Sequence, residues 1–210
     1  MTAAEPTRAS HVAPAAPEEA APRGAAAFAD PAPLGLAAFA LTTFVLSMTN
    51  AGLFKAEPVV FGLALAYGGI AQMLAGMWEF AKGNTFGATA FTSYGAFWLA
   101  FWYLTGHTDL SGVDAKDAGH GVGLFLLAWA IFTAYMFVAS LRTNGALIVV
   151  FGLLTITFLL LALADLTDTS GLAKAGGWFG VATALAAWYA SFAGVLSFTN
   201  KRPVLPTGAR

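Results

Sequence analysis

The sequence predicts an all-α integral membrane protein with six transmembrane helices, and three observations carry that reading. The chain has 210 residues, of which 58% are hydrophobic and only 10% charged, where a soluble domain carries about 25% charged residues. Six apolar stretches each reach the roughly 20 residues that cross a bilayer core. The breaks between them are short and polar, as between antiparallel neighbours of a helical bundle. An open sheet cannot replace the helices, because its edges would leave backbone groups unpaired in lipid.

Taken in order, residues 1–29 are rich in Ala and Pro with scattered charges and hold no apolar central run. They read as a disordered cytoplasmic tail and not as a signal peptide. Residues 30–200 form the six-helix domain, with spans expected over 34–54, 58–81, 86–105, 121–141, 145–165 and 173–198. The breaks Lys55-Ala56-Glu57-Pro58, Lys82-Gly83-Asn84 and Arg142-Thr143-Asn144-Gly145 punctuate them. Residues 201–210 remain as a short cytoplasmic tail. Arg8, Arg23, Lys82, Arg142, Lys201, Arg202 and Arg210 gather on one side of this topology, against Lys55, Lys116 and Lys174 on the other. The positive-inside rule then puts both termini in the cytoplasm, at a cytoplasmic or plasma membrane.

The two halves echo each other. Phe44-Val45-Leu46-Ser47 resembles Phe137-Val138-Ala139-Ser140, Val59-Val60-Phe61-Gly62-Leu63 recurs from Val149, and Phe86-Gly87 recurs as Phe179-Gly180, at offsets of 93, 90 and 93 residues. An inverted repeat of three plus three helices gives this pattern, and so does compositional bias.

No Lys or Arg lies deep in a span, so neutral donors carry any polar chemistry. Phe39, Thr43, Leu46, Ser47 and Asn50 share one stripe of the first helix. Gln72, Gly76 and Glu79 share one of the second. Thr89, Thr92 and Ala96 share one of the third, with Ser93 and Tyr94 beside it. Hydroxyls and amides suit a small, weakly held anion that must also be released. They are equally the ordinary glue between membrane helices. Glu79 reads either as the ion-pair partner of Lys82 or as a proton or gate residue. Trp98, Trp102 and Tyr103 read as an interfacial belt. Paired glycines, such as Gly119 and Gly123, read as close-packing positions.

Several classes drop out. A net charge of −1 gives no basic face for nucleic acid. There is no cysteine, and the histidines are His11 in the tail with His107 and His120 at a loop. No metal spacing, no cofactor motif and no nucleophile with a base is present, so neither metal, cofactor nor enzyme activity is expected.

Asp30-Pro31-Ala32-Pro33-Leu34-Gly35-Leu36, Tyr67-Gly68-Gly69-Ile70-Ala71-Gln72, Lys82-Gly83-Asn84-Thr85-Phe86-Gly87 and Thr89-Ala90-Phe91-Thr92-Ser93-Tyr94-Gly95-Ala96-Phe97-Trp98 resemble the signature blocks of the acetate uptake transporter family, the acetate/succinate permeases. The match is dense from Asp30 to Trp98 and thinner beyond. It departs at Asp30, where the family has Asn; Asp still caps a helix whose first turn holds Pro. The resemblance implies a homo-hexamer in the lipid bilayer with a separate pathway in each protomer. It implies acetate and other short monocarboxylates as substrates, with succinate at the edge of the range, by channel or proton symport. It also implies a hydrophobic constriction of Phe39, Tyr94 and Leu154, with Ala187 tuning substrate size. Beside such a ring, Asn50, Thr43, Thr89, Thr92, Ser93 and Gln72 would hold the carboxylate, and Glu79 or Asp30 would act as gate or proton residues. The competing reading is a membrane sensor or structural protein that transports nothing.

Overall fold

The computed structural model describes Met1 and residues 28–208. Residues 2–27 of the expected N-terminal tail lie outside the described residues. Six long helices follow: α1 (Ala32–Asn50), α2 (Val59–Lys82), α3 (Thr85–His107), α4 (Ala115–Ser140), α5 (Gly145–Thr167) and α6 (Ser170–Asn200). All but α3 are long and apolar enough to cross a membrane by mean hydropathy. Helix α3 misses because Thr, Ser, Gly, Tyr and Trp dilute its sequence, yet at 23 residues it spans the same depth. Its buried face, from Gly87 through Tyr94 to Phe101, packs into the bundle.

Local chemistry sets the ends. Gly83 takes the left-handed backbone (φ 78°) that closes α2, with its N–H donating to the Phe80 carbonyl at 3.0 Å. Asn84 then caps α3 by accepting from the Gly87 N–H at 3.1 Å. Asp114 and Asn144 cap α4 and α5 in the same way, through Lys116 and Leu147 N–H groups. Helix α2 is not uniform: residues Ala66–Ala71 form a π-helical turn between α-helical segments Val59–Leu65 and Gln72–Lys82. Such turns occur as local bulges in otherwise regular helices.

The helices close into a ring in the order α1, α6, α5, α4, α3, α2. Backbones approach most closely where side chains are absent. Along α6, Gly177, Gly180 and Gly194 face Asn50, Ser47 and Pro33 of α1, and the Ser191 hydroxyl donates to the Pro33 carbonyl at 2.7 Å. Between α2 and α3, Gly76 faces Thr92 and Gly95 faces Met73. The α3–α4 seam is different. Their backbones stand apart, and rings fill the space: Tyr94 against Trp129 and Phe132, Phe97 against Phe125 and Trp129. Of the glycines expected to pack tightly, Gly119 meets nothing within 4 Å.

These contacts predict a sharp contrast. A β-carbon at position 177 would fall 2.6 Å from the Asn50 carbonyl carbon, so Gly177→Ala should destabilise by about 1–3 kcal/mol or more. Gly119→Ala should be tolerated and should stabilise by about 0.5–1 kcal/mol, the helix preference of Ala over Gly. Thermal unfolding of the two variants in detergent checks both.

Candidate transport pathway

Two cavities lie inside the ring, and the helix directions place them at opposite ends. The proximal vestibule, about 350 Å³, is lined by Asp30 and Pro33 at the start of α1, Glu79 at the end of α2, Asn84 and Gly87 at the start of α3, and Ser197 at the end of α6. It therefore opens on the side of both termini. The distal vestibule, about 360 Å³, is lined by Asn50 at the end of α1, Thr105 at the end of α3, Gly119 at the start of α4 and Asp165 at the end of α5. Phe39 and Leu154 line both. The two cavities thus meet at one level of the bundle.

That level is apolar and closely packed. The Phe39 and Tyr94 rings stand 5.8 Å apart, and Tyr94 also touches Trp129, Phe132 and Phe151. Phe39, Tyr94 and Leu154 are all buried. The Tyr94 hydroxyl lies 2.9 Å from Thr133 Oγ1. Thr133 donates its only proton to the Trp129 carbonyl at 2.7 Å. Tyr94 must therefore be the donor to Thr133, which holds its hydroxyl against α4 and leaves the ring face to the pathway.

The polar residues divide between the two chambers. Thr43, Ser47 and Asn50 line the distal vestibule, and Gln72 and Glu79 line the proximal one. Among the described residues neither chamber is lined by Lys or Arg. Thr89, Thr92 and Ser93 line neither. The lumen face of α3 runs through Gly87, Ala90, Phe91, Tyr94, Phe97 and Trp98, about half a turn from the stripe read in the sequence. Thr92 is turned to α2, where its hydroxyl packs against Gly76. Ala187 is fully buried and also lines neither chamber; it belongs to the core packing.

The charges pair differently from the sequence reading. Lys82 bonds Asp30, at 2.7 Å, and not Glu79. Asp30 Oδ1 also accepts from the Ala32 N–H at 3.1 Å, capping the first turn of α1. An exposed pair of this kind contributes little energy, but it neutralises the acid at the proximal mouth. Glu79 has no exposed surface. Its Oε2 accepts from Asn84 Nδ2 at 2.8 Å, and its Oε1 has no partner among the described residues.

Three features escaped the sequence. Trp98, read as a belt residue, is 2% exposed and lines the distal vestibule. Thr133 is an isolated hydroxyl in an apolar stretch of α4, which was the signal available. The C-terminal tail turns back under the proximal mouth. The Thr207 and Gly208 carbonyls accept from the Ala146 and Gly145 N–H groups at 3.0 Å each, and the Tyr189 hydroxyl donates to the Pro206 carbonyl at 2.7 Å. Pro203, Leu205 and Thr207 consequently line the proximal vestibule.

A helical membrane protein with two opposed chambers meeting at an apolar ring is the architecture of a solute pathway within one protomer. The chain belongs to the GPR1/FUN34/yaaH family, whose sequence pattern matches residues 13–208. It is 44% identical over 183 residues to acetate permease A of Emericella nidulans, covering 80% of this chain and 61% of that one. It is 40% identical over 168 residues to the succinate-acetate/proton symporter SatP of Escherichia coli K12, covering 80% and 89%. It is 44% identical to ammonia transport outward protein 2 of Saccharomyces cerevisiae, covering 77% and 59%. The chain thus spans about three fifths of the length of these fungal relatives. The solved structure of the bacterial acetate channel SatP superposes with a TM-score of 0.80 at 38% identity, over 86% of this chain and 99% of that one.

The Tyr94–Thr133 bond gives a double-variant prediction. Thr133→Val should cost about 1–3 kcal/mol, since it strands a buried hydroxyl. Adding Tyr94→Phe should restore most of that loss, because removing both partners leaves nothing unpaired. Denaturation midpoints of the two single variants and the double variant test the coupling.

Proposed function

We propose that the chain moves acetate and other short monocarboxylates across a cytoplasmic membrane, through a pathway within each protomer that narrows at Phe39, Tyr94 and Leu154. One observation carries the reading: chambers of about 350 and 360 Å³ open at opposite ends of the bundle and share Phe39 and Leu154. A narrow apolar ring excludes hydrated ions by dewetting. A short carboxylate can offer the ring its alkyl end. A dicarboxylate such as succinate must strip water from two charged groups, which costs more. The names of the relatives, an acetate permease and a succinate-acetate/proton symporter, support this substrate class.

The Lys/Arg distribution favours a cytoplasmic proximal vestibule. A homo-oligomer, a hexamer by family resemblance, would bury part of the apolar outer surface beside lipid. Within the proximal chamber Glu79 is the group suited to hold a transported proton. It is buried, lacks a cationic partner because Lys82 is bound to Asp30, and keeps one carboxylate oxygen free. A second reading has one observation in its favour. Glu57 and Asp165 line the distal vestibule and Glu79 the proximal one, an acceptor-rich lining that also suits ammonium.

Uptake into liposomes tests these assignments. The parent protein should take up labelled acetate faster under an inwardly directed proton gradient. Glu79→Gln should keep flux down an acetate gradient but lose that stimulation. Tyr94→Ala should raise succinate flux relative to acetate by about tenfold, the effect of lowering a barrier by a little over 1 kcal/mol. Unchanged proton stimulation in Glu79→Gln removes Glu79 from the proton route. Ammonium flux without acetate flux favours the second reading.

A further inference from the structure

The segment after α6 forms part of the proximal chamber's wall. Helix α6 closes at Lys201, which takes the left-handed backbone (φ 53°), and the Arg202 N–H donates to the Ser197 carbonyl at 3.2 Å. The chain reverses there and runs as a strap to the start of α5. Along it the alternate residues Pro203, Leu205 and Thr207 line the proximal chamber. Leu205 and Thr207 are half-buried, whereas Val204 and Pro206 are exposed. A period of two is that of an extended segment with one face turned inward.

Both flanking helices hold the strap. On α6 the Tyr189 hydroxyl donates to the Pro206 carbonyl at 2.7 Å. On α5 the Gly145 and Ala146 N–H groups donate to the Gly208 and Thr207 carbonyls at 3.0 Å each. These are first-turn donors that a helix cannot satisfy by itself. Gly145 gives the strap its room: a β-carbon there would stand 3.4 Å from the Thr207 carbonyl oxygen and 3.6 Å from the Gly208 Cα. A larger, branched side chain at 145 must displace the strap. Proline at 203 and 206 fixes φ and stiffens the segment. Tyr189 lines neither chamber, so its hold on the pathway is through the strap. The mouth is polar where Asp30 and Asn84 line it, and the strap adds the apolar Pro203 and Leu205.

Building on the transport reading, we propose that the strap is a size filter at the proximal entrance, with Leu205 as its sizing residue and the Tyr189–Pro206 bond as its latch. A solute entering from the proximal side passes Leu205 before it reaches Phe39, Tyr94 and Leu154. A short alkyl group passes with the strap seated, and a longer or branched one passes only when the strap lifts. The bonds that hold the strap lie at the water-facing end of the bundle, so water replaces them on release. Lifting therefore leaves the six spans intact.

The test reads access to the proximal chamber and requires no flux. Val150 on α5 is buried and lines that chamber, about 7.5 Å inward of Gly145 along the helix. The chain has no cysteine, so Val150→Cys supplies a single thiol behind the strap. In the purified, oligomeric protein this thiol is reacted with a small methanethiosulfonate and with fluorescein maleimide, each rate normalised to that of a free thiol. With the native strap the bulky reagent should lag. Adding Tyr189→Phe should raise the bulky reagent's rate by about threefold, as expected for loss of one neutral hydrogen bond, and leave the small reagent's rate unchanged. Leu205→Ala, which trims the filter, and Gly145→Val, which displaces the strap, should move the ratio in the same direction. In liposomes the same three substitutions should raise butyrate uptake relative to acetate. Equal normalised rates behind the native strap, a ratio unmoved by all three substitutions, or a parallel rise for both reagents overturns the filter. A protein that moves no acetate would sink the transport reading separately, since the labelling ratio stands without it.

Discussion

The seam between α3 and α4 sets the rest of the architecture. Elsewhere in the ring, glycines let backbones touch, as Gly177 does against Asn50 and Gly76 does against Thr92. At this seam no such approach occurs, and Tyr94, Phe97, Trp129 and Phe132 take up the space. Five tight seams and one filled by rings leave the interior wide enough for two chambers. The same rings deliver Tyr94 to the level where Phe39 and Leu154 divide them. Because the Tyr94 hydroxyl is bound to Thr133, its ring is held against α4 at the level where the two chambers meet.

Lipid imposes the second constraint. With no water to satisfy stray polar groups, each hydroxyl in a span needs a partner or a reason to lack one. Most threonines bond their own helix. The groups left open, Thr43, Trp98, Gln72 and Glu79, all line a chamber. Thr92, a further open group among the described residues, lies at a seam instead, where Gly76 packs on its hydroxyl. Polarity in the spans is therefore concentrated at the chambers, with Thr43, Ser47, Asn50 and the carboxyl of Asp165 at the distal one and Gln72 and the carboxyl of Glu79 at the proximal one. The tail at Thr207 and Gly208 belongs to the same economy: it supplies carbonyls to the free N–H groups at the start of α5.

The six spans were legible because apolar length is a property of consecutive residues, and α3 was found despite its low hydropathy because the breaks on either side bracket it. The α1 stripe was legible too: Phe39, Thr43, Ser47 and Asn50 recur at helical spacing and do face one chamber. The α3 face was misread, since Thr89, Thr92 and Ser93 attract attention as polar residues while the lumen is lined by Ala90, Phe91 and Tyr94. Polarity marks a pathway only where the opposing helix is not a glycine-rich neighbour, and that depends on packing between distant segments. The same limit hid the Lys82 partner, 52 residues away at Asp30, the role of Thr133, and the burial of Trp98. The π-helical turn at Ala66–Ala71 has no pattern in apolar spacing that announces it.

The account stands on the claim that the two chambers open to opposite sides of the membrane and meet only at the ring. The chain has no cysteine, so single thiols can be placed without background. The direct measurement is labelling of Ser197→Cys and Asn50→Cys, separately, by a membrane-impermeant thiol reagent applied to one face of oriented vesicles and then to the other. The account predicts that Ser197→Cys reacts only from the side of the termini and Asn50→Cys only from the opposite side. Reaction of both from one face would contradict it.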